Sequence, residues 1–137
     1  MYTWYAGFMV NALYCTPERL DALTRAYCDS TNDTDATAFS DIVRNLRIHL
    51  RCVPDTHMFT SPQLNQIVRK CLDNPRRVGT TFQRFLTTSA LSHPACAPDT
   101  LRYACAYQGY NAYLYHKAAV ENPNCPEDAK VYAFLAN

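Results

Sequence analysis

The amino-acid sequence predicts an all-α fold: one domain of about seven short helices stacked as helical repeats, α-solenoid-like in arrangement. Three observations carry this. Valine and isoleucine total ten against twenty-nine alanines and leucines, so strand formers are scarce. Apolar residues recur at helical spacing in one segment after another. A junction of seven residues also returns without a gap twenty-nine residues later. At 137 residues, 48% hydrophobic and 18% charged, the chain suits a single domain that buries a core without covalent staples.

The elements follow in chain order. Residues 1–15 form an aromatic N-terminal arm or short helix, and residues 16–137 the helical-repeat domain. The arm holds Tyr2, Trp4, Tyr5 and Phe8 and no charged side chain. Its uncharged stretch ends at Glu18 and includes Thr3, Asn11 and Thr16, which is short of the roughly twenty apolar residues of a membrane span. No basic residue precedes Arg19, so the stretch lacks the basic start of a secretory signal. Thr16-Pro17-Glu18 reads as an N-cap, a proline at the first helical position and an acid in the first turn, with Leu20, Leu23 and Tyr27 following at helical spacing. Residues 29–37 are polar and read as a connection. Phe39, Ile42, Val43, Leu46 and Leu50 make the next stripe. Ser61-Pro62 then repeats the helix start before Leu64, Ile67, Val68, Cys71 and Leu72. Phe82, Phe85, Leu86 and Ala90 form a fourth stripe, and residues 98–107, 110–120 and 126–136 give three more helices rich in alanine and tyrosine.

The repeat aligns His93-Pro94-Ala95-Cys96-Ala97-Pro98-Asp99 with Asn122-Pro123-Asn124-Cys125-Pro126-Glu127-Asp128, and Tyr103-Ala104 with Tyr132-Ala133. Leu72-Asp73-Asn74-Pro75 is a weaker third copy. A proline disfavours helical backbone in the residue before it, so His93 and Asn122 end helices. Cys96 and Cys125 then take the cap sites of the helices that follow. Each unit is helix, abrupt stop, helix, and it buries its apolar face by stacking on a neighbour.

The run Ala118-Ala119-Val120-Glu121-Asn122-Pro123-Asn124-Cys125-Pro126-Glu127 resembles the leucine-rich repeat variant, an α-solenoid relative of HEAT-type repeats. The resemblance is best over residues 86–136, partial over 46–75, and reduced to a helix start over 14–27. The spacing here is longer than that family's repeat, Cys stands at its usual Thr cap, and Lys130 stands where a leucine is expected. The resemblance implies a stacked-helix scaffold for binding with no catalytic residues to carry over. Some members of that family hold an iron–sulfur cluster through closely spaced cysteines, a spacing this chain lacks. No cofactor is expected.

Seven cysteines, an odd number without a Cys-x-x-Cys pair, suit buried free thiols in an intracellular reducing compartment, or in a virion assembled there. His49-x-x-Cys52 and His93-x-x-Cys96 have zinc-like spacing, but Asn122 takes the place of His93 in the second copy, which favours a structural role. A thiol- or metal-dependent enzyme would draw on His93 with Cys96, or His116 with Cys125. Placement at helix N-termini would lower those thiols' pKa and make them reactive. The sequence carries no nucleophile elbow, zincin helix or Walker loop, and no catalytic residue is expected.

Net charge is +1, distributed as −3 over residues 1–40, +5 over 41–90 and −1 over 91–137. The basic middle third supplies Arg44, Arg47, Arg51, Arg69, Lys70, Arg76, Arg77 and Arg84, a ridge for phosphates or an acidic partner if stacking gathers them. Aromatic residues cluster at the two ends. Five tyrosines between 103 and 115 exceed what one helix face buries, so Tyr107, Tyr110 and Tyr113, with Tyr2, Trp4, Tyr5 and Phe8, are the expected partner contacts. The expected function is a non-enzymatic protein–protein interaction module, a structural or accessory subunit of a larger assembly such as a virion or organellar complex. Nucleic-acid binding through the basic ridge is the alternative.

Overall fold

The computed structural model describes residues 16–31, 34–52, 59–73 and 80–136, which fold into seven helices with no strand among them. The N-terminal arm, with Tyr2, Trp4, Tyr5 and Phe8, lies outside the described residues, as do Arg76 and Arg77. Helix α1 (Pro17–Asp29) begins where the Thr16 hydroxyl accepts the Arg19 amide at 3.1 Å. The polar connection then supplies the cap of α2 (Ala36–Cys52): Asp35 Oδ1 accepts the amides of Thr37 and Ala38 at 2.9 and 3.2 Å. Helix α3 (Ser61–Asp73) opens on a reciprocal cap. The Gln63 amide donates to the Thr60 hydroxyl, and the Thr60 amide donates to the Gln63 side chain at 3.0 Å. Helices α4 (Thr80–Leu91), α5 (Pro98–Ala106), α6 (Ala112–Glu121) and α7 (Glu127–Ala136) complete the chain. Asn111 turns into α6 at φ 63°, a left-handed conformation that asparagine tolerates better than most residues.

The helices stack in two layers. The pairs α1–α2, α3–α4 and α5–α6 pack within themselves, and α7 packs on both α5 and α6. Between pairs, α1, α3, α5 and α7 contact one another in succession, and so do α2, α4 and α6. Each odd-numbered helix starts at a proline: Pro17, Pro62 and Pro98 in its first two positions, and Pro126 directly before α7. Proline at a helix start sacrifices no hydrogen bond, and its ring prevents continuation of the preceding helix. These prolines therefore mark each passage into the odd layer. Successive ones are 45, 36 and 28 residues apart. The repeat shortens along the chain, so only the last two junctions align without gaps.

The core runs between the layers. Leu20 and Tyr27 of α1, Phe39, Val43 and Leu46 of α2, Leu64, Ile67 and Val68 of α3, and Leu101 of α5 are completely buried. Each such side chain contributes on the order of 1.5–3 kcal/mol by leaving water. The stripe expected on α4 is rotated. Phe85 is exposed, whereas Gln83 and Thr87 are buried beside Leu86, Ala90 and Leu91. Helix α4 touches α2, α3 and α6, so more than one face must be covered. The polar groups brought inside have partners: Gln83 Nε2 donates to the Tyr27 hydroxyl at 2.8 Å, and the Thr87 hydroxyl donates to the Gln83 carbonyl at 2.8 Å.

Two details of the junctions differ from expectation. The caps fall one residue later than Cys96 and Cys125: Ala97 caps α5, and α7 starts at Glu127. The cysteines instead turn inward, each at most 5% exposed. The weaker copy at residues 72–75 falls at the passage from α3 to α4, inside a helix pair, whereas the two strong copies lie between pairs.

Candidate functional site

At the junction after α4, the His93 imidazole turns back on its own chain, and Nδ1 accepts the Ala95 amide at 3.0 Å. One repeat later, Asn122 Oδ1 accepts the Asn124 amide at 2.9 Å in the same relation. A histidine nitrogen and an amide oxygen are thus interchangeable here, each serving as an acceptor two bonds beyond Cβ. Asn122 does more. Its Nδ2 donates to the carbonyls of Leu91 and His93 at 2.7 and 3.0 Å, and Asn124 Nδ2 donates to those of Pro94 and Cys96 at 2.8 and 3.1 Å. These amides stitch the second junction onto the first. Ser61 ties in the preceding repeat, donating to the Ala95 carbonyl at 2.6 Å.

The thiols of the junctions are quiet. Burial pushes the Cys96 thiol up to about 12, with the neighbouring Cys125 adding to the shift. Burial does the same to Cys105, also up to about 12, and raises Cys125. The Cys105 and Cys125 sulfurs lie 3.9 Å apart. The expected activation at a helix N-terminus does not occur, because neither cysteine is the cap and desolvation disfavours the thiolate. Among the described residues, no cluster of three or more His, Cys, Asp or Glu side chains could hold a metal. His49 is buried with no partner for either ring nitrogen among them. Burial, followed by the nearby Arg19, lowers its pKa.

The basic residues divide between the layers. On the even layer, Arg47 and Arg84 both lie over the Phe85 ring, at 4.9 and 5.3 Å from its centroid, with Arg44 exposed on the same helix as Arg47. Arg51 belongs to α2, and its side chain is outside the description. Arg69 and Lys70 lie on the odd layer. Arg69 stacks on Tyr103 at 4.1 Å while its Nε donates to Asn65, and Lys70 donates to the Ser30 carbonyl at 2.5 Å. The described part of the ridge is therefore two groups. The even helices carry Arg44, Arg47, Arg51, Arg84 and Lys117 against Asp41 and Glu121, whereas acids and bases nearly balance on the odd helices. Polar contacts link the odd helices: the Tyr103 hydroxyl donates to Asp73, Thr100 donates to Asn65 at 2.9 Å, and Arg102 pairs with Asp128, holding that carboxyl below its usual range.

The tyrosines divide too. Tyr115 is buried, and its hydroxyl sits 3.5 Å from the Cys71 sulfur. Tyr107 is half-buried, edge-on to Tyr115, with its hydroxyl donating to the Tyr110 carbonyl at 3.2 Å. Tyr110 and Tyr113 are exposed. Beside Tyr113 lies a surface that residue types had not singled out. Val131, Phe134 and Leu135 of α7 are 57%, 83% and 77% exposed. With Tyr113 and Val120 of α6 they line an open groove of about 1020 Å³, with Lys117 and Lys130 along it. A signal was present in the sequence: the unbroken run Val131-Tyr132-Ala133-Phe134-Leu135 wraps around a helix and cannot be buried on one face.

No family model, curated protein or solved structure matches this chain. Among the described residues, no helix is long and apolar enough to cross a membrane.

Proposed function

We propose that the chain is a non-enzymatic protein-interaction module, a structural or accessory subunit that engages its partner through the α6–α7 end of the helical stack. The observation that carries this reading is the exposed surface of Tyr113, Val131, Phe134 and Leu135 along one groove. Contiguous apolar surface of this kind costs solubility and is characteristic of interaction sites, where aromatic anchors dominate the energetics. The burial of Cys96 and Cys125 and the structural use of His93 agree with a scaffold role. So does the stacking of helix pairs, the architecture implied by the resemblance to the leucine-rich repeat variant. The test is affinity capture from the source with the wild-type chain, Phe134→Asp, and the double variant Arg44→Glu/Arg84→Glu. Loss of specific partners in the first variant with retention in the second is the expected result. Equal capture by all three proteins removes this reading.

The basic even layer favours a second reading, nucleic-acid binding through Arg44, Arg47 and Arg84. Phosphate-driven affinity falls steeply with salt through counterion release. Binding of duplex or single-stranded nucleic acid that weakens between low and physiological salt, and is lost in the double variant, would establish it. Salt-independent binding would discard it.

A further inference from the structure

The groove at the α6–α7 end has an internal template one repeat earlier. Twenty-nine residues separate the two junctions. Five groove residues, His116, Val120, Lys130, Ala133 and Phe134, therefore correspond to Thr87, Leu91, Leu101, Ala104 and Cys105. Those five counterparts are at most 1% exposed, and they lie on α4 and α5, the two helices that α6 covers. The groove is thus the place where a further even-layer helix would sit, with α6 and α7 as its floor.

The template also specifies how such a helix would be held. Asn122, directly after α6, donates to the Leu91 and His93 carbonyls. Their counterparts are the carbonyls of Val120 and Asn122. The latter receives the Cys125 amide at 3.0 Å, just as that of His93 receives the Cys96 amide at 3.0 Å, and no donor among the described residues reaches the carbonyl of Val120. Charge adds a further requirement. Among the described residues the groove lining includes Lys117 and Lys130 and no carboxylate. Lys130 is drawn 3.2 Å from Glu127 on its own helix, while Lys117 makes no ion pair among the described residues. A basic apolar groove selects an apolar helix face flanked by acids.

Resting on the interaction-module reading above, we propose that the groove binds an amphipathic α-helix of a partner protein. That helix is about three turns long, the length of α6, with carboxylates along the edge that meets Lys117 and Lys130. It ends in an amide side chain that reaches the Val120 carbonyl, and it extends the even layer by one member.

The probe is a fluorescein-labelled synthetic peptide with the sequence of residues 110–126 and the change Lys117→Gln. It carries the packing face of α6, with Glu121 at its edge as the charged side chain. Anisotropy titration against the intact chain is expected to show saturable binding, weakened about tenfold or more by Phe134→Asp in the protein. The protein variant Lys117→Glu should weaken this peptide several-fold at low salt and regain affinity for the peptide carrying Glu121→Lys. Replacing the peptide's Asn122 with alanine should weaken binding several-fold. Circular dichroism of each protein variant shows that the fold is kept. Failure to saturate, indifference to Phe134→Asp, or equal affinity of the Lys117→Glu protein for both peptides would overturn the proposal. So would sedimentation of the wild-type chain as a dimer that Phe134→Asp dissociates, since a second copy would then be the occupant. Partner capture lost in Phe134→Asp without any peptide binding would leave the interaction module standing and remove the helix as its ligand.

Discussion

The junction after α4 and the junction after α6 follow the same backbone course in opposite surroundings. In each, the residue before the proline donates its amide to the carbonyl three residues back, at 3.2 Å, and accepts the cysteine amide at 3.0 Å. Yet Leu91 and His93 lie beneath the side chain of Asn122, whereas Val120 lines an open groove. Local sequence thus builds the turn, and the next repeat determines whether its carbonyls and apolar floor are covered. In a stacked fold every unit relies on its neighbour for burial. Phe134 is exposed while its counterpart Cys105 is covered, which is that reliance seen at the level of a side chain.

The largest effect is expected at the covered junction. Asn122→Ala removes both donors to buried carbonyls and the acceptor for the Asn124 amide, and should cost about 1–3 kcal/mol in urea unfolding. An effect no larger than that of a surface substitution would mean that the stitching between repeats carries little of the stability. Next in size is a pair of changes at His93. His93→Ala loses the acceptor for the Ala95 amide and the edge contact with Phe59 at 6.1 Å, and should cost roughly 1–2 kcal/mol. His93→Asn restores the acceptor and should recover much of the loss. Equal destabilisation by the two would break the equivalence drawn between the junctions.

Acid should act on the covered part of the stack. Burial holds His49 neutral in the folded chain, with a pKa below the ordinary value of 6.5. The unfolded chain therefore binds more protons in that window, so stability rises with pH through it and is lost as pH falls below about 6.5. Thermal melts of the wild type between pH 7.5 and 5.5 should show this decline. His49→Phe should flatten it, and an unchanged slope would assign the acid sensitivity to other groups.

Alkylation ranks the two junctions directly. Cys96 is completely buried with its thiol pushed up to about 12, while Cys125 is 5% exposed and its rise is opposed by Cys105, Lys130 and Arg102. Peptide mapping after iodoacetamide treatment at pH 8 should find Cys125 modified before Cys96, and both slowly. The reverse order would show the first junction to be the looser one. The smallest effect is expected at the open end itself, where Phe134→Asp should shift unfolding free energy by no more than about 0.5 kcal/mol, since the side chain is 83% exposed. A large loss of stability would mean that Phe134 belongs to the core.

Much of this architecture was already present in the linear order of residues. Thr16-Pro17 and Ser61-Pro62 start helices for reasons confined to a few neighbouring residues: a fixed φ, a missing amide and a side-chain acceptor at Thr16 or Thr60. Apolar spacing of three and four named the inner faces of α1, α2 and α3, because each of those helices has one dominant buried side. These are local determinants, and local physics decides them.

Tertiary structure decided the rest. Whether Phe85 or Gln83 faces inward on α4 depends on three neighbouring helices and on the Tyr27 hydroxyl that satisfies Gln83. Arg47 and Arg69 look alike as members of one basic third, yet packing sends one to the even layer and the other to the odd. Burial between the layers raises the pKa of the junction cysteines, a desolvation that helix position alone does not reveal. Phe134 of α7 became part of a candidate site only once stacking showed that its counterpart Cys105 is covered. Burial is a relation between segments distant in sequence, so it is settled when the layers assemble.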